Sequence, residues 1–238
     1  MAILGKLFGK EGERYADVRK ALFGDVPPDL WPSEGSSQEF PWTAFIAARA
    51  HLASGNLPAA VGCWREILDR PGLNPRHYLQ AWRFLGKFGG ENPPPAVSKH
   101  LLGLVVEVGL PQGIDSLAAY ADHSARYYNF SGDCFVWEHR DASLDSRIDE
   151  LLAGSRPALE GATIGTDSQQ KPPPLGHARL SWLTPGGIRV RQDALTALAV
   201  DPVAGPVLLS AAGLMRELIT KSGTGAGTPF PAGSADRR

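Results

Sequence analysis

LLGLVVEVGLPQGIDSLAAYADHSARYYNFSGDCFVWE, residues 101–138, is the stretch from which the fold of this chain is read. It divides into four short apolar runs, Leu101–Val108, Ile114–Ala121, Ala125–Phe130 and Cys134–Glu138, each followed by residues suited to a turn. In Leu110-Pro111-Gln112-Gly113 the proline presets φ at the second turn position and the glycine closes the reversal. Asp122-His123 suits a tight hairpin because Asp and His adopt positive φ more readily than most residues, and Ser131-Gly132-Asp133 supplies the next turn. These links are too short for parallel crossovers, which need a dozen or more residues, so the spacing predicts an antiparallel meander.

Working outward toward the C-terminus, His177–Leu183 and Ile188–Gln192 flank Thr184-Pro185-Gly186-Gly187 and predict a further hairpin, for about six strands in all. Alternation puts Ala178, Leu180, Trp182, Ile188 and Val190 on one face and leaves Arg179, Arg189 and Arg191 on the other, expected to be wet. Two helices accompany the sheet. Ala142–Ala153 carries Leu144, Ile148, Leu151 and Leu152 on one stripe, and Val203–Lys221 turns Val207, Leu208, Ala211, Leu214, Met215 and Leu218 inward. Glu160–Gly176 reads as a long loop, and the Gly-, Thr- and Ser-rich tail over 222–238 as disordered.

Toward the N-terminus the period becomes helical. Residues 11–24 predict a short helix, and Asp25–Pro41 an irregular connector that tucks Leu30, Trp31 and Phe40 inward. From Trp42, Phe45, Ala48 and Leu52 share a stripe; Ser54-Gly55-Asn56 breaks the run, and Pro58 suits the first turn of a second helix bearing Ala60, Val61, Trp64, Ile67 and Leu68. A third helix, Pro75 to Phe88, contains Trp82-Arg83-Phe84-Leu85-Gly86. With Ala48, Gly55, Leu57, Ala60, Trp64, Leu68 and Pro71, and with a W-x2-L-G run at Trp82–Gly86, residues 42–88 resemble one and a half tetratricopeptide repeats. That family forms concave grooves for peptides from stacked helical hairpins. A stack this short cannot cover its own apolar face, so it is expected to lean on the sheet. The β-rich half resembles bacterial proteins to which no activity is attached. The expected architecture is therefore α+β: a tetratricopeptide-like helical region over 1–92 packed on an antiparallel α+β domain over 97–221, with Gly89–Ala96 and its three prolines as the boundary.

Composition narrows the function. Of 238 residues 43% are hydrophobic and 21% charged, ordinary for a globular protein, and the net charge of −1 supplies no general pull toward nucleic acid or anionic membrane. There is no apolar run long enough to span a bilayer, and Met1–Lys10 lacks the order of a signal peptide, so a cytoplasmic location is expected. Cys63 and Cys134 have neither CxxC nor zinc-ligand spacing and read as buried, reduced thiols.

Weighing the chemistry, the densest polar cluster is Asp133, Glu138, His139, Arg140, Asp141 and Ser143. A hydrolase-type site using Glu138, His139 and Asp141 requires those side chains to converge; Asp141 or Ser143 as a helix cap is the simpler reading, so no catalytic residue is assigned. Arg179, Arg189 and Arg191 form a candidate anion-binding set, since guanidinium offers a bidentate fork to carboxylate or phosphate. Tyr127, Tyr128 and Phe130 read as packing residues, with only Arg126 beside them for a nucleic-acid reading. Glu107, alone in an apolar strand, is expected, if it is buried, to pair with an arginine of the sheet, the alternative being a functional role. His51, His77, His100, His123 and His177 show neither HxxxH nor HxH, so neither metal nor cofactor is expected. The expected function is a non-catalytic protein-interaction or adaptor module, with an unidentified protein partner held beside Trp42, Phe45, Trp64, Trp82 and Phe84. The alternative is a small-ligand sensor with a pocket beside the 160–176 loop.

Overall fold

The four apolar runs form β1 (Gly103–Leu110), β2 (Gly113–Tyr120), β3 (Ser124–Tyr128) and β4 (Cys134–Glu138) in the computed structural model, which describes residues 15–33, 39–165 and 171–222. β2 and β3 pair antiparallel with Leu117 opposite Tyr127 and Ala119 opposite Ala125. β3 and β4 do the same, with Tyr127 opposite Phe135 and Ser124 opposite Glu138. The turns work as their chemistry predicts. Gly113, His123 and Gly132 have φ of 143°, 60° and 104°, and Asp122 Oδ1 accepts from both the backbone N–H and the hydroxyl of Ser124, at 3.0 and 2.7 Å.

β5 (Thr163–Ile164), β6 (His177–Thr184) and β7 (Gly187–Ala194) complete an antiparallel sheet of seven strands among the described residues, in the order β4-β3-β2-β1-β6-β7-β5. The fold is α+β, as expected. The strand beyond the six read from sequence is β5, a two-residue edge inside the segment read as loop, adjoined by Gly165, whose N–H donates to Ile188 O at 2.8 Å. Two residues carry no periodicity to detect. The tail from 223 onward lies outside the described residues.

The chain divides into two compact units. The first holds the described residues of 1–103, 163–170 and 182–189. It contains a helix over 15–23 (α1), α2 (Trp42–Ala53), α3 (Leu57–Asp69), α4 (Pro75–Phe84), a π-helical turn at Leu85–Gly89 and the short α5 (Pro95–Ser98). Asn56 caps α3, its side chain accepting from Ala59 N–H at 3.3 Å, and Asn74 caps α4 by accepting from Arg76 N–H at 3.1 Å; proline follows each cap. Ala48 and Ala60 are fully buried, and such small side chains let α2 and α3 pack closely. The core gathers around Trp64, which stacks on Phe84 and Phe88 with ring centroids 5.5 and 5.9 Å apart. Cover for these helices comes from the connector. Trp31 sits against Phe45 and Phe84, its indole N–H donating to Val26 O at 2.8 Å, while Arg49 fastens the connector by donating to Pro28 O and Pro32 O at 3.0 and 2.9 Å.

The second unit holds the described residues of 104–162, 171–181 and 190–222. α6 (Asp145–Glu160), α7 (Leu195–Val200) and α8 (Ala204–Ser222) belong to it; α8 packs on α6, α7 and β4, and α6 on β2. Of the stripes read from sequence, Ile148, Leu151 and Leu152 on α6 and Val207, Ala211, Leu214 and Leu218 on α8 are buried, while Leu208 and Met215 are half-buried. Along the side of β1 that carries Glu107 and Gly109, the segment Lys171–Pro174 lies close: a Cβ on Gly109 would fall 2.2 Å from Pro174 O, and Gly109 O accepts from Gly176 N–H at 2.8 Å.

Candidate functional site

The five aromatics expected to line a groove part company in the structure. Phe45, Trp64 and Phe84 are core residues, the first two with no exposed surface, and offer nothing to a partner. This corrects the expectation; the helical stripe gives the inward face but not which part of it the connector covers. Trp42 is half-buried, edge-on to His77 at 5.5 Å. Trp82 is half-buried as well and lines a cleft of about 480 Å³.

The cleft belongs to the helical unit. Leu68 of α3, Tyr78 and Trp82 of α4, and Leu85, Pro94, Val97 and Leu102 of the following segment supply its apolar lining, with Pro185 of the β6–β7 turn. Its polar members include Arg65 and Glu91, joined by two hydrogen bonds in which Arg65 Nη2 and Nε donate to Glu91 at 2.7 and 3.2 Å. Tyr78 is pinned, its hydroxyl donating to Arg70 O at 2.6 Å and accepting from Leu73 N–H at 3.0 Å. The Leu85–Gly89 π turn and the prolines beyond it lead from α4 to α5, and residues of this segment line the cleft as well. The loop beside which a ligand pocket is expected includes 166–170, which lie outside the described residues.

The arginine set does not form a wet cradle. Arg179 is buried, with Nη1 3.4 Å from Glu107 Oε2, Nε donating to Gln192 Oε1 at 2.8 Å and Nη2 donating to Lys171 O at 2.8 Å. Pairing of Glu107 with a sheet arginine is as expected; burial of the arginine is not, and its cause is the Lys171–Pro174 segment lying over that face. Arg191 pairs with Asp201, while Arg189 is half-buried on β7 in the other unit. Asp201 also accepts from Val203 and Ala204 N–H at the start of α8, at 2.9 and 2.7 Å. Together these contacts, the Arg191 bond first, hold its carboxyl down to about 2.

The polar cluster around residue 139 resolves into separate partnerships. Glu138 pairs with Arg126, across β3 and β4. Asp141 accepts from Ser143 N–H at 2.7 Å and caps the turn leading into α6; its contacts with Ser143 hold its carboxyl below the ordinary range. Glu138, His139 and Asp141 therefore engage different groups. His139 instead meets two residues from elsewhere. Its Nε2 lies 3.2 Å from Asp145 at the head of α6, and its ring centroid is 5.3 Å from that of His123 in the β2–β3 turn. His123 Nδ1 is 3.7 Å from Asp145 Oδ2, and its Nε2 is 3.1 Å from Asp149 Oδ1. Spacing rules miss this group because β2–β3 and β3–β4 pairing, not one helix or strand, brings it together.

Tyr127 and Tyr128 are buried, the former stacked on Phe135 with centroids 5.8 Å apart and donating to Asp115 Oδ2 at 2.8 Å. Cys63 and Cys134 are free and half-buried, and burial pushes both thiols up. No helix among the described residues is long and apolar enough to cross a membrane. Fold and sites thus define an α+β protein with a helical cleft and a histidine–carboxylate cluster. No protein-family model, curated protein or solved structure matches the chain.

Proposed function

We propose that this chain is a non-catalytic interaction module whose helical unit holds a short apolar segment of a partner protein in the cleft beside Trp82. The observation that carries the reading is the position of Trp82, a half-buried indole set among Leu68, Leu85, Val97 and Leu102 while Phe45, Trp64 and Phe84 are spent in the core. Aromatic residues in partly desolvated pockets supply most of the energy of many protein interfaces. A volume of about 480 Å³ accommodates a few side chains, and Arg65, Glu91 and Asp69 provide charged groups for the main chain or flanking residues of the segment. The likeness of residues 42–88 to a tetratricopeptide hairpin points the same way, since that family takes peptides in grooves. Two free thiols suit a reducing bacterial cytosol as the setting.

The test is peptide-display selection with the full chain as bait, followed by affinity measurement on the enriched peptides. Enrichment of apolar-centred peptides is expected, with binding weakened tenfold or more by Trp82→Ala and by Leu68→Glu while the far-ultraviolet circular dichroism is kept. Failure to enrich any peptide, or peptides that bind Trp82→Ala as well as the parent, overturns the reading.

A further inference from the structure

We infer that His123, His139 and Asp145 form a binding site for a divalent transition-metal ion, with zinc as the best-fitting cation. One ligand atom from each lies within 4.8 Å of the others. The residues come from three elements of the second unit: the β2–β3 turn, the residue after β4, and the first turn of α6. A tetrahedral zinc with ligands at about 2.0–2.2 Å holds neighbouring ligand atoms about 3.3–3.5 Å apart. The separations of 3.2 Å from His139 Nε2 to Asp145 and 3.7 Å from His123 Nδ1 to Asp145 Oδ2 bracket that spacing.

The surroundings of His123 add a second argument. A metal-binding imidazole ordinarily donates its other ring N–H to a carboxylate, which fixes the tautomer and raises the basicity of the ligating nitrogen. Asp149 Oδ1, 3.1 Å from His123 Nε2, stands where that acceptor is needed. With the proton on Nε2, the Nδ1 lone pair turns toward the Asp145 carboxylate. Two electron-rich atoms then face each other 3.7 Å apart, a separation that a cation between them makes favourable. Asp145 Oδ1 is sealed from solvent and makes no hydrogen bond, although it lies within ion-pair distance of His139.

The backbone is committed to the same arrangement. Among the described residues, His123 and His139 are the two non-glycine residues with positive φ, at 60° and 49°. His visits this region more easily than most residues, and both visits carry an imidazole to the head of α6. Imidazole with a single carboxylate suits zinc, cobalt, nickel or copper better than calcium or magnesium, whose ligands are oxygens. With three protein ligands, a fourth position stays open to water or to a donor from another molecule.

The experiment is calorimetric titration of the full, tag-free, chelator-washed chain with Zn²⁺, repeated with Co²⁺ while its visible absorption is followed. One ion per chain is expected, with nitrogen ligation in the cobalt spectrum and a rise in melting temperature on zinc addition. His139→Asn and Asp145→Asn should weaken zinc binding at least tenfold and abolish the rise. Asp149→Asn should weaken binding by about 10–100-fold, as removal of an outer-shell carboxylate does. Asparagine tolerates positive φ, so His139→Asn spares the backbone, and circular dichroism confirms its fold. His51→Asn and His177→Asn should bind as the parent does. Absence of zinc uptake overturns the inference and leaves histidines paired with carboxylates; so does uptake that His139→Asn and Asp145→Asn do not weaken, or that His51→Asn abolishes.

Discussion

Arg179 and Glu107 form an ion pair sealed from water, with Nη1 3.4 Å from Oε2 and side chains 3% and 1% exposed. Removing two charges from water costs several kcal/mol per ion, and only close pairing with additional hydrogen bonds recovers it. Here Gln192 and the carbonyl of Lys171 supply bonds to the guanidinium.

Arg179→Met, which strands a buried carboxylate, should therefore cost about 3–5 kcal/mol in urea unfolding, whereas Glu107→Leu combined with Arg179→Met should recover most of the loss. A double variant as unstable as the single one would show that the pair stabilises the unit beyond what apolar packing provides.

At Gly109 the Lys171–Pro174 segment lies against β1, with the Pro173 and Pro174 carbonyls where a Cβ would stand. Gly109→Ala should cost about 1–3 kcal/mol, because the added methyl meets backbone that a side-chain rotation cannot move. Hydrogen exchange should quicken at Gly176 N–H, whose bond to Gly109 O spans the two segments. An unchanged exchange rate there would place the strain elsewhere.

Trp64 and Trp82 separate stability from binding. Trp64→Ala removes a fully buried ring stacked on Phe84 and Phe88 and should cost about 3–5 kcal/mol. Trp82→Ala, at the wall of the cleft, should cost less than half as much in thermal unfolding. Equal losses would make Trp82 a core residue and weaken the cleft as a recognition surface.

Asp201 predicts the sign of one pH effect. Arg191 and the amides at the head of α8 depress its folded-state pKa to about 2, against about 3.9 for an unperturbed carboxyl. Its contribution is thus present above about pH 4 and lost as pH falls through about 2. Asp201→Asn keeps a capping side chain but not the charge, so the variant should be less stable than the parent at neutral pH, and the gap should close between about pH 4 and 2. A gap that stays constant over that window would exclude Asp201 as its source.

Much of the second unit was legible in the order of residues, since periodicity and turn chemistry act over short range. β4 has the bounds read from sequence, His123 takes the positive φ expected of the Asp122-His123 turn, and Asp141 caps the helical turn that follows it. The break at Ser54-Gly55-Asn56 lies between helices as expected, and α6 runs further than expected, through Pro157. α7, six residues long between β7 and α8, escaped notice because so short a helix presents less than two turns of pattern.

Amino-acid order by itself determined the meander, the helical stripes and the need of Glu107 for an arginine, because alternation, capping and the cost of a buried charge are set within a few residues of chain. Tertiary structure alone decided the rest: that Trp31 meets Phe45 and Phe84, that Lys171–Pro174 shuts Arg179 away from water, and that His123 and His139 meet Asp145. Each depends on which distant segment covers which face. That choice is made by the summed packing of the whole unit and leaves no periodic trace in the sequence.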